Sequence, residues 1–385
     1  MRKAGPVGGP PLPSQARLKY HGSMSGPGYQ RADGPQPSRL PLRDLEEVAA
    51  AAAGAFKALR GARLFVTGGT GFFGRWLLET LAFAAWKERL EVMATVLTRD
   101  PGRARARFAH LLEPPRFSFV AGDVRTFSWP GRSFTHVIHA AAPSSTAGRP
   151  ASRTETLGVV DRGTRRVLDF AAFAGVRRFL LTSSGAVYGR QPPDVDRVPE
   201  DALEPGRSVE PLTNDPKEIY GHAKRQAEMR CLRAMHGGGV RPVLARCFAF
   251  AGPHLPLDAH YAFGNFIGDG LAGRPIRIEG DGTPLRSYLY AGDLAVWLWT
   301  MLAFGEAGRA YNVGSEEAVG IGELAERVGA RLGVAVERTR TPVPGQPVER
   351  YVPSTERARE ELGLKVTVGL GEAIDRTVRW HRGEP

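Results

Sequence analysis

Cysteine is scarce in this chain: Cys231 and Cys247 are its only two in 385 residues. Two cysteines cannot build a disulfide framework, and these two form neither a Cys-x-x-Cys pair nor a zinc cluster. Histidine, aspartate and glutamate show no metal-binding spacing, so we expect no metal. Both thiols are therefore expected in the core or within helices, and their small number fits a reducing cytoplasm.

Lysine is also rare, because only seven of the 52 basic residues are lysines and the other 45 are arginines. The formal net charge of +12 is compatible with an anionic substrate or with nucleic acid. However, no basic patch is interleaved with aromatic residues, as RNA-binding motifs require, so we expect no specific nucleic acid partner. Uninterrupted apolar runs of about 18 residues are absent as well, which predicts no membrane span.

Four segments differ in composition. Residues 1–40 are rich in proline, glycine and serine, which predicts a disordered tail. Residues 41–61 carry apolar side chains at helical spacing, which predicts a leading helix. Residues 62–250 alternate short apolar strands with amphipathic helices, a pattern typical of βαβ units. Together with the less regular residues 251–385, this predicts an α/β fold: a doubly wound parallel sheet, Rossmann-like, with a smaller, partly interleaved C-terminal substrate-binding lobe.

The alternation predicts six strands, at residues 63–67, 92–98, 117–121, 136–140, 178–183 and 243–248. It predicts helices between them, at residues 75–87, from about 101, at 156–174 and at 217–235.

A glycine-rich turn follows the first predicted strand. Gly68 would allow the tight turn, Gly71 would let a pyrophosphate approach the backbone, and Gly74 would let the helix pack closely on the strand. The free N–H groups and the positive dipole end of the next helix favour phosphate binding. Because the glycines follow a strand and open a helix, they predict a dinucleotide site, to which we also assign Phe72 and Phe73.

The end of the second strand decides between NAD and NADP. An acidic residue there would bind the ribose 2′-hydroxyl of NAD, whereas an arginine would meet the 2′-phosphate of NADP. Arg99 and Asp100 both stand at this point, so the sequence allows either cofactor.

The third and fourth strands supply further predicted contacts with the cofactor. Asp123 and Val124 follow the third strand, where the aspartate could reach the adenine or simply cap a turn. Ala140 and Ala141 follow the fourth strand, and their small side chains would let a cofactor lie flat. His139 is expected to be a buried strand residue rather than an acid or base.

Tyr220 and Lys224 are four residues apart and share one face of a predicted helix. An ammonium beside a phenol lowers the pKa of the phenol, so Tyr220 could act as a general base while Lys224 also holds the nicotinamide ribose. Ser183 and Ser184 end the fifth strand, where both could hydrogen-bond the same substrate oxygen.

With these features the sequence resembles the extended short-chain dehydrogenase/reductase family, in particular the NAD-dependent epimerase/dehydratase branch that acts on nucleotide sugars. The resemblance covers about residues 62–382 and is carried by residues 67–74, 182–189, 220–224, 280–286, 293 and 311–314.

The resemblance implies roles for five residues. Ser184, Tyr220 and Lys224 match the family's catalytic triad, and Ser184 also contacts the substrate. Arg286 matches an arginine that grips the diphosphate of the sugar nucleotide, for which a planar guanidinium is suited. Asn265 is a plausible further substrate contact.

The sequence departs from the family pattern at three places. The family's 4,6-dehydratases have an Asp-Glu pair after the catalytic Ser or Thr, and its glucuronic acid decarboxylases have a glutamate there, but this chain has Gly185 and Ala186. Ala249 stands where the family usually has an asparagine. A long loop over residues 191–215, rich in proline and acidic residues, is expected beside the sugar pocket.

We therefore expect an NAD(P)-dependent epimerase of a nucleotide-diphosphate sugar, acting at C4 through a transient 4-keto sugar. The alternative is an NAD(P)H-dependent reductase of a nucleotide 4-keto sugar, which Arg99 slightly favours. A 4,6-dehydratase would need another acid, for which Glu200, Glu204 and Glu218 are candidates by composition alone. A non-enzymatic NAD(P)-binding module is less consistent with the intact triad. The cysteine usage predicts a cytoplasmic protein. By family analogy we expect a homodimer, joined through the helices at 156–174 and 217–235.

Overall fold

The computed structural model describes residues 39–111, 117–143, 151–203, 215–259 and 261–384. Almost all of the predicted tail and much of the predicted 191–215 loop lie outside these residues. The prediction of disorder over residues 1–40 therefore stays a prediction.

Seven parallel strands form the central sheet, in the spatial order β11-β6-β5-β4-β1-β2-β3. In chain order they are β1 (Arg63–Thr67), β2 (Met93–Thr98), β3 (Phe117–Ala121), β4 (His136–His139), β5 (Arg178–Ser184), β6 (Arg241–Cys247) and β11 (Ala310–Val313). The chain runs outward from β1 to β3 and then crosses to β4 on the other side of β1. This switch point is where doubly wound sheets bind ligands, outside the carboxyl ends of the strands.

The short strands all follow β6 in the chain. They are β7 (Phe250–Ala251), β8 (Ile276–Ile278), β9 (Leu285–Arg286), β10 (Leu289–Tyr290), β12 (Val319–Gly320), β13 (Val336–Arg338) and β14 (Arg350–Tyr351). They pair as β10-β7, β13-β8 and the three-stranded group β12-β9-β14.

Twelve α-helices occur among the described residues. They are α1 (Leu42–Ala51), α2 (Ala53–Ala58), α3 (Phe72–Lys87), α4 (Pro101–Arg107), α5 (Arg153–Leu157), α6 (Gly163–Phe173), α7 (Pro216–His236), α8 (Ala262–Leu271), α9 (Ala291–Phe304), α10 (Ile321–Leu332), α11 (Glu356–Leu362) and α12 (Leu370–Arg382). A wide π-helical turn, Gly158–Arg162, joins α5 to α6.

Helices cover both faces of the sheet. Because successive strand residues point to opposite sides, each strand contributes side chains to both layers. Leu64 and Val66 of β1 face the core formed with α1, α2, α3 and α9. Phe65 between them faces the core formed with α6 and α7. Burial on both faces explains the uninterrupted apolar runs at residues 64–66 of β1 and 179–181 of β5. The predicted doubly wound α/β fold is therefore confirmed.

The predicted strands agree with the structure to within a few residues, whereas the predicted helix at 156–174 is divided into α5, a π-helical turn and α6. Three further differences concern other elements. The leading segment forms two helices, α1 and α2, rather than one. Helix α3 begins at Phe72, directly after the glycine turn. A seventh strand, β11, was not predicted; it returns from the C-terminal third to pair with β6. Both cysteines are buried, as predicted.

Helix α9 packs across the sheet and is almost wholly apolar. Trp297 and Trp299 are buried in it and donate to the Lys365 carbonyl and to Thr80 Oγ1. Neither α9 nor any other helix that the structure describes is both long enough and apolar enough to cross a membrane.

The leading helix α1 is tied to the C-terminal helix α12. Asp44 is 2% exposed and accepts from Tyr290 Oη and from Arg376 Nη1, both at 2.6 Å. The same Arg376 nitrogen reaches Glu47 at 2.6 Å, and Trp380 Nε1 donates to the Arg39 carbonyl at 2.8 Å. These bonds make the first described residues part of the globular unit.

Candidate active site

Gly68 makes the turn after β1 possible. Its φ is +72°, a conformation that favours glycine. A Cβ at this position would collide with the Ala140 carbonyl group and would lie 2.7 Å from the Ala141 nitrogen. The two predicted contacts at the end of β4 therefore lie directly against the glycine turn, and any side chain at Gly68 would separate them.

Gly71 and Gly74 bring the N-terminus of α3 to the same place. Gly71 is the N-cap residue of α3 and provides no side-chain cap, so the first N–H groups of the helix keep their donor capacity. A Cβ at Gly74 would collide with the backbone of Gly69, so only glycine allows the helix to pack on the turn. Phe72 and Phe73 are half-buried in the first turn, and Phe73 packs edge-on against Phe250 with ring centroids 5.0 Å apart.

His139 is a structural residue, as the sequence predicted. Its Nδ1 lies 2.7 Å from Thr67 Oγ1, and its Nε2 lies 3.0 Å from Thr164 Oγ1. Thr164 donates its own proton to the Val160 carbonyl, so the imidazole must donate from Nε2 and accept at Nδ1. Burial lowers the pKa of His139 to about 3, which keeps the ring neutral at the switch point.

The acidic residues after β2 and β3 are already engaged. Asp100 caps α4 by accepting from the Arg103 N–H at 2.9 Å, whereas Arg99 is exposed. Asp123 binds the Arg125 guanidinium in a bidentate ion pair, at 2.8 and 2.6 Å. Hydrogen bonds from Arg125 hold the pKa of Asp123 below its usual value.

Val124 packs directly on α6, because a Cβ at Gly163 would lie 3.0 Å from its Cγ1. The predicted adenine contact of Asp123 stays a prediction, but its carboxylate also serves the turn, the alternative that the sequence left open.

The two serines at the end of β5 point to opposite faces of the strand. Ser183 donates to the buried Glu228 carboxylate at 2.5 Å and is turned away from the cleft. Ser184 caps the short 3-10 turn Gly185–Tyr188 by accepting from the Ala186 N–H at 3.2 Å. The prediction that both serines reach one substrate oxygen is therefore wrong for Ser183, because strand residues alternate between faces.

Helix α7 brings Tyr220 and Lys224 to Ser184. Gly221 allows this approach, because a Cβ there would collide with the Ala186 carbonyl. Lys224 is 2% exposed and donates to the Thr182 carbonyl at 2.8 Å. Its Nζ lies 5.6 Å from the centre of the Tyr220 ring. The three residues predicted as the catalytic triad thus meet at the carboxyl end of β5.

The electrostatics of this pair differ from the sequence-based expectation. Burial raises the pKa of Tyr220, and the neighbouring Tyr261, Tyr351 and Cys247 raise it further. Burial also lowers the pKa of Lys224 to about 8. The predicted lowering of the Tyr220 pKa by Lys224 is not found, because desolvation dominates and the ammonium hydrogen-bonds a carbonyl.

Arg286 and Asn265 lie in the C-terminal lobe. Arg286, on β9, forms an ion pair with Glu349 at 2.5 Å, and its side chain is 20% exposed. Asn265, on α8, has a buried Oδ1 that makes no hydrogen bond to the described residues. A buried acceptor without a partner is costly, so Asn265 fits the predicted role of a ligand contact.

Two residues at the site were not predicted from the sequence. Tyr351 of β14 lies over Gly185 and contacts Ser184 and Ala186. Phe248, after β6, packs on Tyr351 with ring centroids 4.7 Å apart and the ring planes inclined by 39°. Tyr351 lies far along the chain on a two-residue strand, and no local sequence pattern indicates it.

A buried ion pair supports the site from below. Arg246 donates to both oxygens of Glu228, at 3.1 and 2.9 Å, and both side chains are at most 2% exposed. Arg246 also donates to Tyr188 Oη and to the Glu200 carbonyl, each at 2.9 Å. Glu228 could have been found by its spacing, because it lies one helical turn after Lys224.

The glycine cradle, the uncapped helix N-terminus and the neutral switch-point histidine fit a dinucleotide such as NAD.

A model of the NAD dependent epimerase/dehydratase family matches residues 64–314. UDP-glucuronic acid decarboxylase 1 of Arabidopsis thaliana is 28% identical over 316 residues, which are 82% of this chain and 69% of that protein.

Solved structures show the same fold. The dTDP-glucose 4,6-dehydratase of Streptomyces venezuelae, solved with NAD bound, gives a TM-score of 0.70 at 26% identity, over 83% of this chain and 97% of that one. The UDP-glucose 4-epimerase of Thermotoga maritima gives a TM-score of 0.67 at 21% identity, over 83% and 98%. The chain belongs to the NAD dependent epimerase/dehydratase family, the extended short-chain dehydrogenase/reductase branch of NAD-dependent enzymes that act on nucleotide sugars.

Proposed function

We propose that this enzyme epimerises a nucleotide-diphosphate sugar at C4. The observation that carries the proposal is the combination of an intact Ser184, Tyr220 and Lys224 with the absence of an acid at Gly185 and Ala186. The triad suffices to oxidise and reduce a sugar carbon, whereas water elimination in the family's 4,6-dehydratases uses the acid pair. The family's glucuronic acid decarboxylases also have a glutamate there.

The packing around Gly185 supports this distinction. A Cβ at Gly185 would lie 2.7 Å from Phe248 Cζ and 2.8 Å from Tyr351 Oη, so an aspartate would not fit without displacing both rings. Glu200 does not replace the missing acid, because its carboxylate is buried and accepts from the Asn312 N–H at 2.8 Å. Glu204 lies outside the described residues, and Glu218 lies in the first turn of α7.

The residues that would hold NAD surround the switch point. They are Gly68, Gly71, Phe72, Phe73 and Gly74 of the turn and helix α3, Arg99, Asp123, Val124, Ala140 and Ala141 at the strand ends, and Tyr220 and Lys224 of α7. The chemistry that NAD supplies when bound is the reversible acceptance of a hydride from C4.

The residues of the chain transfer the proton and bind the substrate. Tyr220 takes the C4 hydroxyl proton as a phenolate, a form that burial disfavours in the unliganded protein and that the Lys224 ammonium and the bound cofactor would have to stabilise. Ser184 donates a hydrogen bond to the same oxygen. The resulting 4-keto sugar presents its other face, and Tyr220 returns the proton as the inverted alcohol forms. Arg286 exchanges its exposed partner Glu349 for the diphosphate, and Asn265 Oδ1 accepts from the ligand.

The alternative is reduction of a nucleotide 4-keto sugar, and one observation favours it. Arg99 and Asp100 are both exposed after β2, but the Asp100 carboxylate is engaged as the cap of α4. An arginine at this point suits the 2′-phosphate of NADP better than the 2′-hydroxyl of NAD. Net consumption of NADPH with a keto-sugar substrate would distinguish this reaction from epimerisation.

The test begins with UDP-glucose and other nucleotide-diphosphate sugars, whose products are identified by NMR. We expect a C4 epimer without net oxidation, and a loss of at least about 100-fold in kcat for Tyr220→Phe with cofactor still bound. Tyr290→Phe is the matched control, because it removes another buried tyrosine hydroxyl, next to Asp44. Release of carbon dioxide or formation of a 4-keto-6-deoxy sugar would overturn the proposal.

Two further features remain proposals. A homodimer would use α7 together with the helical segment that runs from α5 to α6, and sedimentation at several concentrations would test it. A cytoplasmic location would be tested by fractionation.

A further inference from the structure

Tyr351 reaches the catalytic serine from the other lobe of the molecule. Strand β14 runs parallel to β9 and sets Tyr351 beside Arg286. The Arg286 guanidinium lies 5.9 Å from the centre of the Tyr351 ring, and Phe248 packs on the ring. These contacts fix the direction of the side chain, so that its hydroxyl ends at the turn after β5.

Glycine at position 185 provides the space for this hydroxyl. A Cβ on Gly185 would lie 2.8 Å from Tyr351 Oη, closer than carbon and oxygen normally approach. The phenol therefore occupies the volume that a side chain at residue 185 would need. The absence of a side chain at 185 and the presence of Tyr351 are two parts of one arrangement.

The groups around Ser184 Oγ limit where its proton can point. Ser184 Oγ accepts from the Ala186 N–H, and the Tyr351 hydroxyl ends at the neighbouring residue, Gly185, close enough for Ser184 to lower the pKa of the phenol. Burial raises the pKa of Tyr351 to about 12, so its phenol keeps its proton at neutral pH. A serine hydroxyl has two acceptor sites and one proton. If Tyr351 is the second donor to Ser184 Oγ, both acceptor sites are filled and the serine proton must go to a third group.

We propose that Tyr351 is a positioning residue that donates to Ser184 Oγ and thereby directs the Ser184 proton into the cleft, toward the sugar oxygen on which Tyr220 acts. This inference rests on the proposed function only in the role given to Ser184. It applies to any oxidation or reduction of a sugar carbon at this triad.

The test is a double-mutant cycle with Tyr351→Phe and Ser184→Ala, because the phenylalanine retains the ring packing and removes only the hydroxyl. We expect Tyr351→Phe to lower kcat about tenfold in the natural background, with KM changed less than twofold. In the Ser184→Ala background the same change should alter kcat less than twofold. Tyr261→Phe is the matched control, and its effect should be equal in both backgrounds.

A merely structural role predicts a different result. If Tyr351→Phe lowers kcat equally in both backgrounds, or leaves kcat unchanged in the natural one, the proposal is overturned. A wild-type product other than a C4 epimer would refute the proposed function alone, because the cycle can then be measured on that product.

The contact itself can be tested without turnover. Gly185→Ala should lower the melting temperature by about 3 °C, because it overpacks the space under Tyr351 and Phe248. In a Tyr351→Phe background this loss should be smaller by about 1 °C, because one of the two close contacts is gone. An equal loss in both backgrounds would overturn the proposal even if no nucleotide sugar is converted.

Discussion

Replacing the buried Glu228 by glutamine should destabilise the protein more than the same change at an exposed glutamate. Glu228 is 1% exposed and accepts three hydrogen bonds, from Ser183 Oγ at 2.5 Å and from two nitrogens of Arg246 at 3.1 and 2.9 Å. Arg246 is 0% exposed. Glutamine at position 228 would leave the Arg246 guanidinium buried without a counter-charge. The NH₂ group of the glutamine would also face a hydrogen-bond donor, where the carboxylate now accepts.

The magnitude follows from what remains after the substitution. Breaking a buried ion pair by removing one partner costs about 3 to 5 kcal/mol. For a folded region of this size, with an unfolding entropy of about 2 cal/mol/K per residue, such a loss lowers the melting temperature by roughly 5 °C. Because Arg246 keeps its bonds to Tyr188 and to the Glu200 carbonyl, the lower end of this range is expected.

The assay is thermal unfolding followed by circular dichroism, with Glu323→Gln as the matched control. Glu323 lies on α10 and pairs with Arg327 four residues later, but both side chains are more than one-third exposed. An exposed pair of this kind contributes at most about 0.5 kcal/mol, so the control should melt within about 1 °C of the natural protein. Equal melting temperatures for the two variants would refute the reasoning.

Three further predictions concern the cofactor site and the leading helix. Gly68→Ala should reduce the amount of nicotinamide nucleotide that remains bound after purification at least about tenfold. Gly61→Ala is the control and should retain the nucleotide, because Gly61 has a φ of +73° but no atom near its Cβ. Equal retention by the two variants would contradict a role of the close contact between Gly68 and the end of β4. Burial lowers the pKa of Lys224 to about 8, so its ammonium loses its proton above pH 8. The NAD affinity measured by calorimetry should then fall about tenfold per pH unit in the natural protein, but not in Lys224→Arg. An affinity independent of pH in the natural protein would show that the Lys224 charge does not contribute to NAD binding. Arg376→Met should lower the free energy of unfolding, measured in urea, by about 3 kcal/mol, because it leaves Asp44 buried without a cation. Asp44→Asn in that background should restore part of this stability. An unchanged stability of Arg376→Met would mean that α1 is held by apolar contacts alone.

Features that depend on neighbouring residues could be predicted from the sequence. The glycine turn, the strands of the first half and the Tyr220–Lys224 spacing are local, because each is fixed by the geometry of one strand, one turn or one helix. The predicted triad meets in space for the same reason: Ser184 ends a strand, and α7 returns antiparallel to it. The cofactor and substrate roles assigned to individual residues remain predictions.

Features that depend on distant packing could not be predicted. Strand β11 has only four residues and packs against α11, so its place beside β6 does not follow from its own pattern. Tyr351 enters the site because β14 pairs with β9. The pKa of Tyr220 depends on burial by residues from several elements, and this outweighs the one lysine visible in the sequence.

The bonds between α1 and α12 bring residues 39 and 380 together, with the Arg39 carbonyl 2.8 Å from Trp380 Nε1. A short flexible linker could therefore join residue 384 to residue 39 and give a circular permutant. The exposed loop around Gly345, between β13 and β14, is a suitable place for new termini. Such a permutant would free the strand that carries Tyr351 from one of its chain connections while keeping every contact of the leading helices. It would divide the second lobe between the two ends of the chain, so that β14 and Tyr351 come at the start of the chain and β9 and Arg286 near its end.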